Sequence, residues 1–177
     1  MDTFFVLLIG FVLGLFVAVL ATVLAMRRLM VVPHRSHRSF EETCAAIEEV
    51  VPRHEGWGFP IEAWNFYETF LKKNLVPRGI RKLKVFFVCN ARLASKVISD
   101  TPSMAGIMPC SWAVYEMDDG SVWLSKMNIA LMSKMFGGVI REAMTEVARM
   151  DEVFLRQVLS PPEQGGDEEP DRDEAAA

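Results

Sequence analysis

"CSWAVYEMDDGSVWLSKMN", residues 110–128, reads as two strands joined by a tight turn. Its Val, Trp and Tyr side chains favour an extended backbone. Asp118-Asp119-Gly120 carries the turn chemistry of a hairpin. The pattern extends in both directions. Upstream, "KLKVFFVC" (82–89) is a strand with a Val and Phe centre. Asn90 is placed to cap a short helix over 91–100, with Leu93, Ala94 and Val97 inward. Downstream, Asn128 is placed to cap a helical region over 129–159, which Gly137-Gly138 breaks or kinks. Beyond that break, Val139/Ile140, Ala143, Val147, Met150 and Phe154 form a helical stripe.

Nearer the amino end, "SFEETCAAIEEVV" (39–51) is a helix with a capping-box pattern at Ser39 and Glu42. Phe40, Cys44, Ile47 and Val51 recur at helical spacing, and Pro52 ends the run. "MVVP" (30–33) is a short strand or the frayed end of the preceding helix. "GWGF" (56–59) is a short strand. Pro60 then opens an expected helix with Ile61, Trp64, Tyr67 and Leu71 on one face. The order is an α+β pattern, an antiparallel sheet packed with helices. Leu83, Val85, Phe87 and Cys89 share one face. Phe86, Val88, Tyr115, Trp123 and Met127, with Ala113, are assigned to the face opposite Cys89, Trp112 and Leu124. Helices on one side only would leave that face wet, so it is the expected interaction face for a dimer partner, a second layer or a ligand.

Hydrophobic residues make up 51% of the 177-residue chain, above the usual range for a soluble domain. The excess lies in residues 4–26, which carry no charge. As a helix this run spans roughly 35 Å, against a hydrocarbon core of about 30 Å. A cleaved secretory signal competes with a retained anchor. Asp2, the lack of Lys or Arg before the run, and its length favour the anchor. Arg27, Arg28, Arg35 and Arg38 follow the run, which places the carboxyl side in the cytoplasm of a single-pass protein of the cell (inner) membrane. Gly10 and Gly14 form a Gly-x-x-x-Gly suited to close helix pairing.

Net charge is −4, and residues 160–177 alone account for −6, leaving +2 for the rest. That balance gives no electrostatic case for nucleic acid. The tail is acidic and rich in Pro and Gly, the composition of a disordered segment. Three domains are expected: an anchor over 1–28, a cytoplasmic α+β domain over 29–159, and the tail over 160–177.

The stretch 86–140 resembles the domain of unknown function 302 family. The similarity rests on Cys-Asn at 89–90, Met-Pro-Cys at 108–110, Val-Tyr-Glu at 114–116 and Asp-Gly at 119–120. Met-Asn at 127–128, Leu131-Met132 and Met135-Phe136-Gly137-Gly138 add to it. "RSHRSFEET" and "HEGWGFP" look like the family's first helix and second strand, so the resemblance covers roughly 30–155. Where the family often has Pro after Cys-Asn, this chain has Ala91. The resemblance implies a TATA-binding-protein-like antiparallel sheet with helices, often found as a homodimer, and implies no established activity.

The candidate thiol site is Cys89, Cys110 and Asn90. Cys89 closes a strand just before a capped helix, whose amide groups and dipole can depress a thiol pKa. With Cys110 it would form a redox or sulfur-handling pair. The competing reading treats both as small buried hydrophobes, and for Cys110 packing is preferred. His34, His37 and His54 make no zinc-ligand set, and the eleven methionines read as core filling rather than a copper or haem site. There is no phosphate loop, nucleophile elbow or catalytic triad, so neither a metal, a cofactor nor a catalytic residue is assigned. The sequence thus points to a membrane-anchored module that dimerises or serves a membrane complex, more a binding or accessory protein than an enzyme, with thiol chemistry as the alternative.

Overall fold

The computed structural model describes residues 2–161, so the tail from residue 162 onward lies outside the described residues. Helix α1 (Asp2–Leu29) is followed by strand β1 (Val31–Ser36) and helix α2 (Phe40–Val50). Next come the short strands β2 (Trp57–Gly58) and β3 (Trp64–Asn65), then α3 (Phe66–Lys72). The central strand β4 (Ile80–Asn90) runs into α4 (Ala91–Asp100). The hairpin β5 (Cys110–Met117) and β6 (Val122–Met127) leads to α5 (Ile129–Ser133) and α6 (Gly138–Leu159). All strand pairs are antiparallel, in the order β1-β6-β5-β4, with β2 and β3 both pairing along β4.

Local chemistry accounts for the boundaries. Ser39 Oγ accepts from the Glu42 amide at 3.2 Å, and Glu42 Oε2 accepts from the Ser39 amide at 2.9 Å, so α2 starts on a full capping box. Asn128 Oδ1 accepts from the Leu131 amide at 2.9 Å and starts α5. Gly138, at φ +55°, divides α5 from α6 where the paired glycines stand. Gly120, at φ +79°, closes the β5–β6 turn. Residues 31–33 resolve as strand, with Met30 a bend after α1, because β1 pairs with β6 from Val31↔Met127 to Ser36↔Val122. Pro33 is tolerated there because β1 is an edge strand.

The helix expected from Pro60 onward is shorter than its apolar spacing suggests. Trp64 and Asn65 are held extended by pairing with Val85 and Lys84. Asn65 then takes the cap position, its Oδ1 accepting from the Glu68 amide at 3.2 Å. Trp64, Phe66 and Phe70 stack in series, with ring centroids 4.2 and 4.5 Å apart, in place of an Ile61-Trp64-Tyr67-Leu71 stripe.

Helices α2 and α6 cover one face of the sheet. Ile47, Val51, Phe154 and Val158 meet Phe86, Val88, Trp112, Val114 and Leu124 there, all of them fully buried or nearly so. Phe154 is the hub, with its ring 5.1 Å from Trp57 and 6.2 Å from Trp112, both edge-on. This overturns the expected interaction face in part. Register pairs Phe86 with Trp112, and Trp112 with Lys126, so Phe86 and Val88 belong to the covered face. Alternation within a strand separates its two faces, but only cross-strand register says which faces match. Tyr115 and Trp123, paired with each other, do lie on the opposite face, half-exposed beside Leu83 and Val85.

One ion pair is built into the core. Lys126 Nζ donates to Asp151 Oδ2 at 2.8 Å, with side-chain exposures of 8% and 2%. The other carboxylate oxygen, Oδ1, is buried and meets no donor among the described residues. Removing one partner of such a pair strands the other charge, whereas replacing both with apolar groups does not. Asp151→Ala is therefore expected to lower stability by about 3–5 kcal/mol in urea unfolding, while the double change Lys126→Met with Asp151→Leu stays near the wild-type value. Equal losses in the two variants would refute this account of the pair.

Candidate functional site

The chain turns sharply where β4 passes into α4. Asn90 is extended, at φ −110° and ψ 111°, and its Oδ1 accepts from the Leu93 amide at 3.1 Å. That bond starts α4 and aims Leu93, Ala94 and Val97 inward. Gly56, at φ +76°, passes so close that a Cβ there would lie 3.0 Å from Asn90 Nδ2. A side chain at position 56 would therefore displace the cap. Next to this turn, β5 begins at Cys110, directly across from Val88.

Between these segments and the last two helices lies a cavity of about 300 Å³. Its walls come from Val88 to Val97 on one side and Gly106 to Ser111 on another, with Met132 of α5 and Ala143, Met144 and Val147 of α6 opposite. Met127 and Ile129, the neighbours of Asn128, close the end. No charged side chain lines the space, and its polar side chains are Asn90, Ser111 and the Trp57 indole beside the two thiols. Gly106, Ile107 and Ser111 are exposed and mark its mouth.

Cys89, Cys110 and Asn90 thus do share one site, together with Val88 and Met127 from the expected interaction face. Met127 shares a strand face with Trp123 by alternation, and at its end of β6 it also lines the cavity. The thiol alternative calls for a depressed Cys89 pKa, and the surroundings of Cys89 act in the opposite direction. Burial raises it, and Asn90 already occupies the Leu93 amide at the helix start. Burial likewise pushes Cys110 up to about 12, helped by the nearby Asp151 and by Cys89 itself. Cys44, on the buried side of α2, is also pushed up to about 12 by burial. Burial raises Asp151 in turn, against the opposing pull of Lys126. At neutral pH these cysteines are thiols, so the arrangement suits packing around an apolar space better than nucleophilic chemistry.

The histidines do not converge. His34 is half-buried in β1, His37 is exposed, and His54 Nδ1 lies 3.0 Å from the Val50 carbonyl with its ring against Phe154. Gly10 and Gly14 lie on α1 with open space around both. The cavity methionines and the Lys126–Asp151 pair escape the sequence reading. A signal for the pair was present: Asp151 falls one turn after Val147 on the apolar stripe of α6, and Lys126 alternates with the inward Val122 and Leu124.

The sequence model for "Domain of unknown function DUF302" matches residues 32–160. An uncharacterized protein of Aquifex aeolicus (strain VF5) is 33% identical over 75 residues, 42% of this chain. That match spans about half of the relative, 48% of its length. The crystal structure of an uncharacterized conserved DUF302 protein from Bacillus stearothermophilus superposes with a TM-score of 0.63 at 18% identity. The superposition covers 73% of this chain and 98% of that one, and it shows that the fold is shared.

The raised thiols have a consequence at alkaline pH. Above the ordinary thiol value of 9.0 the unfolded chain releases the Cys110 proton, while the folded chain keeps it up to about 12. Folding is therefore favoured below pH 9 and loses this contribution as pH rises through that window. The urea midpoint is expected to fall less steeply between pH 9 and 10.5 in Cys110→Ala than in the wild type. Parallel slopes would show that the thiol is not held protonated by the fold.

Proposed function

This chain belongs to the DUF302 family, whose description carries no activity, and we propose from its own geometry that it is a single-pass membrane protein with a cytoplasmic, dimerising binding or accessory module. The observation that carries the reading is α1. Residues Thr3–Leu29 form one apolar helix with no part buried against the domain. At about 1.5 Å per residue it is some 40 Å long, enough to cross a core of roughly 30 Å with tilt. A free apolar helix of that length is costly in water and stable in lipid, where it satisfies its own backbone. Arg27 and Arg28 in its last turn support a cytoplasmic exit.

The open sheet face supports a second copy as partner. Tyr115 and Trp123 form a cross-strand aromatic pair flanked by Leu83 and Val85, half-exposed and outside both buried clusters. Contiguous apolar surface of this kind favours association. Gly10 and Gly14 lie one helical turn apart with nothing against them, so two anchors can approach closely along that stripe. The two features act together, because anchors held side by side raise the effective concentration of the attached domains.

In native membranes the full chain is expected to stay in the pellet through alkaline carbonate extraction and to give a crosslinked species of twice its mass. Trp123→Glu is expected to reduce that species at least tenfold without releasing the chain. A mature chain lacking residues 1–28 would overturn the anchor, and crosslinking that yields only monomers would overturn the dimer.

A further inference from the structure

We propose that the cavity between β5, α4 and α6 takes one acyl chain of a membrane phospholipid. This rests on the membrane-anchored reading. Protein interiors are close-packed, with few voids larger than a water molecule. A space of about 300 Å³ reaches the size of small-molecule sites, which begin near 300 Å³. Apolar cavities of roughly half that volume stay dry and take up hydrocarbon.

The lining selects the class of occupant. With no charged side chain in the walls, nothing there pairs with a phosphate, a carboxylate or an ammonium group. Trp57 is the one aromatic residue of the wall, so no pair of rings is set to sandwich a planar cofactor. Met108, Met127, Met132 and Met144 supply flexible, unbranched side chains that mould to a flexible, unbranched guest. The two thiols, kept neutral by burial, add polarizable surface without charge.

Position selects the source. Met30 directly follows α1 and packs against the apolar cluster that surrounds the cavity. Its carbonyl accepts from the Asn128 amide at 2.8 Å, and Asn128 stands between the wall residues Met127 and Ile129. The end of the span and the end of the cavity are thus joined by one backbone hydrogen bond. Ile107, 45% exposed, lies at the mouth and offers an apolar threshold. A phospholipid of the bilayer that α1 enters can lift one chain past Ile107 into this space while its headgroup stays outside the mouth.

The test uses the full chain in phosphatidylcholine–phosphatidylglycerol vesicles doped with a phosphatidylcholine bearing a mid-chain diazirine. After irradiation, adducts are mapped by peptide mass spectrometry. Adducts are expected on α1 and also on cavity residues such as Leu93, Met108 and Met144. Ala94→Trp, which fills the cavity from α4, is expected to cut the cavity adducts at least fivefold and leave those on α1 unchanged. The wild-type map decides the proposal whether or not that variant folds. Adducts on α1 alone would overturn the cavity assignment and leave the anchor standing. Cavity adducts without α1 adducts would sustain the lipid site and overturn the anchor. A parallel arm with a diazirine-labelled free fatty acid separates the sources, and cavity labelling by the fatty acid alone would overturn the phospholipid assignment. Labelling at neither place would overturn both readings.

Discussion

Everything in this domain hangs on one row of the sheet. Phe86, Trp112 and Lys126 stand side by side across β4, β5 and β6 on the covered face. The first two bury large rings beneath α2 and α6, which is where apolar burial contributes most. The third is a charge, and it survives burial only because Asp151 meets it at 2.8 Å. Hydrophobic contact alone would let α6 slide along the sheet by a turn with modest loss. A buried cation with a single partner does not allow that, because each misplaced turn leaves both charges without a partner. The pair thus penalises such slips, and it acts together with Phe154, Leu155 and Val158, which seat α6 on the same face.

With α6 held in place, the break at Gly137-Gly138 decides what happens at its amino end. An unbroken helix from Ile129 to Leu159 would run straight past the sheet. The left-handed Gly138 instead sets α5 apart from α6. Met132 then faces Met144 and Val147 across a space that no side chain fills. Asn128 is tied at the same point to Met30. The cavity therefore sits next to the helix that leaves the domain, while the fully buried cluster around Phe154 lies under α2. Stability and any ligand site are kept at different places on one sheet.

Much of this was legible residue by residue. Ser39, Asn90, Asn128 and Gly120 announce caps and a turn through local hydrogen bonding, which depends only on near neighbours. The apolar stripe of α6 is equally local, a matter of spacing. The faces of β4 were not legible in the same way. Its residues are apolar on both sides, so alternation separates two sets without saying which set joins Trp112. Only pairing with β5 settles that, and pairing is long-range. The same reason explains α3: Ile61, Trp64, Tyr67 and Leu71 have helical spacing, yet pairing with Val85 and Lys84 of β4 holds Trp64 and Asn65 extended and delays the helix to Phe66. The candidate thiol site falls between the two cases. Its residues were visible as motifs, and their proximity was not.

The thiols show why proximity alone does not make a reactive site. Cys89 has the local setting of an activated cysteine, at the end of a strand with a helix starting beside it. Two features cancel that setting. The Leu93 amide at the helix start is already bonded to Asn90, and the surrounding wall offers neither Lys nor Arg nor His to the sulfur. What remains is desolvation, which favours the neutral form in both cysteines. The same wall that suppresses thiolate chemistry suits a hydrocarbon guest, since each requires the absence of charge. A redox centre and an apolar binding site would place opposite demands on these residues, and the side chains around Cys89 and Cys110 meet the second.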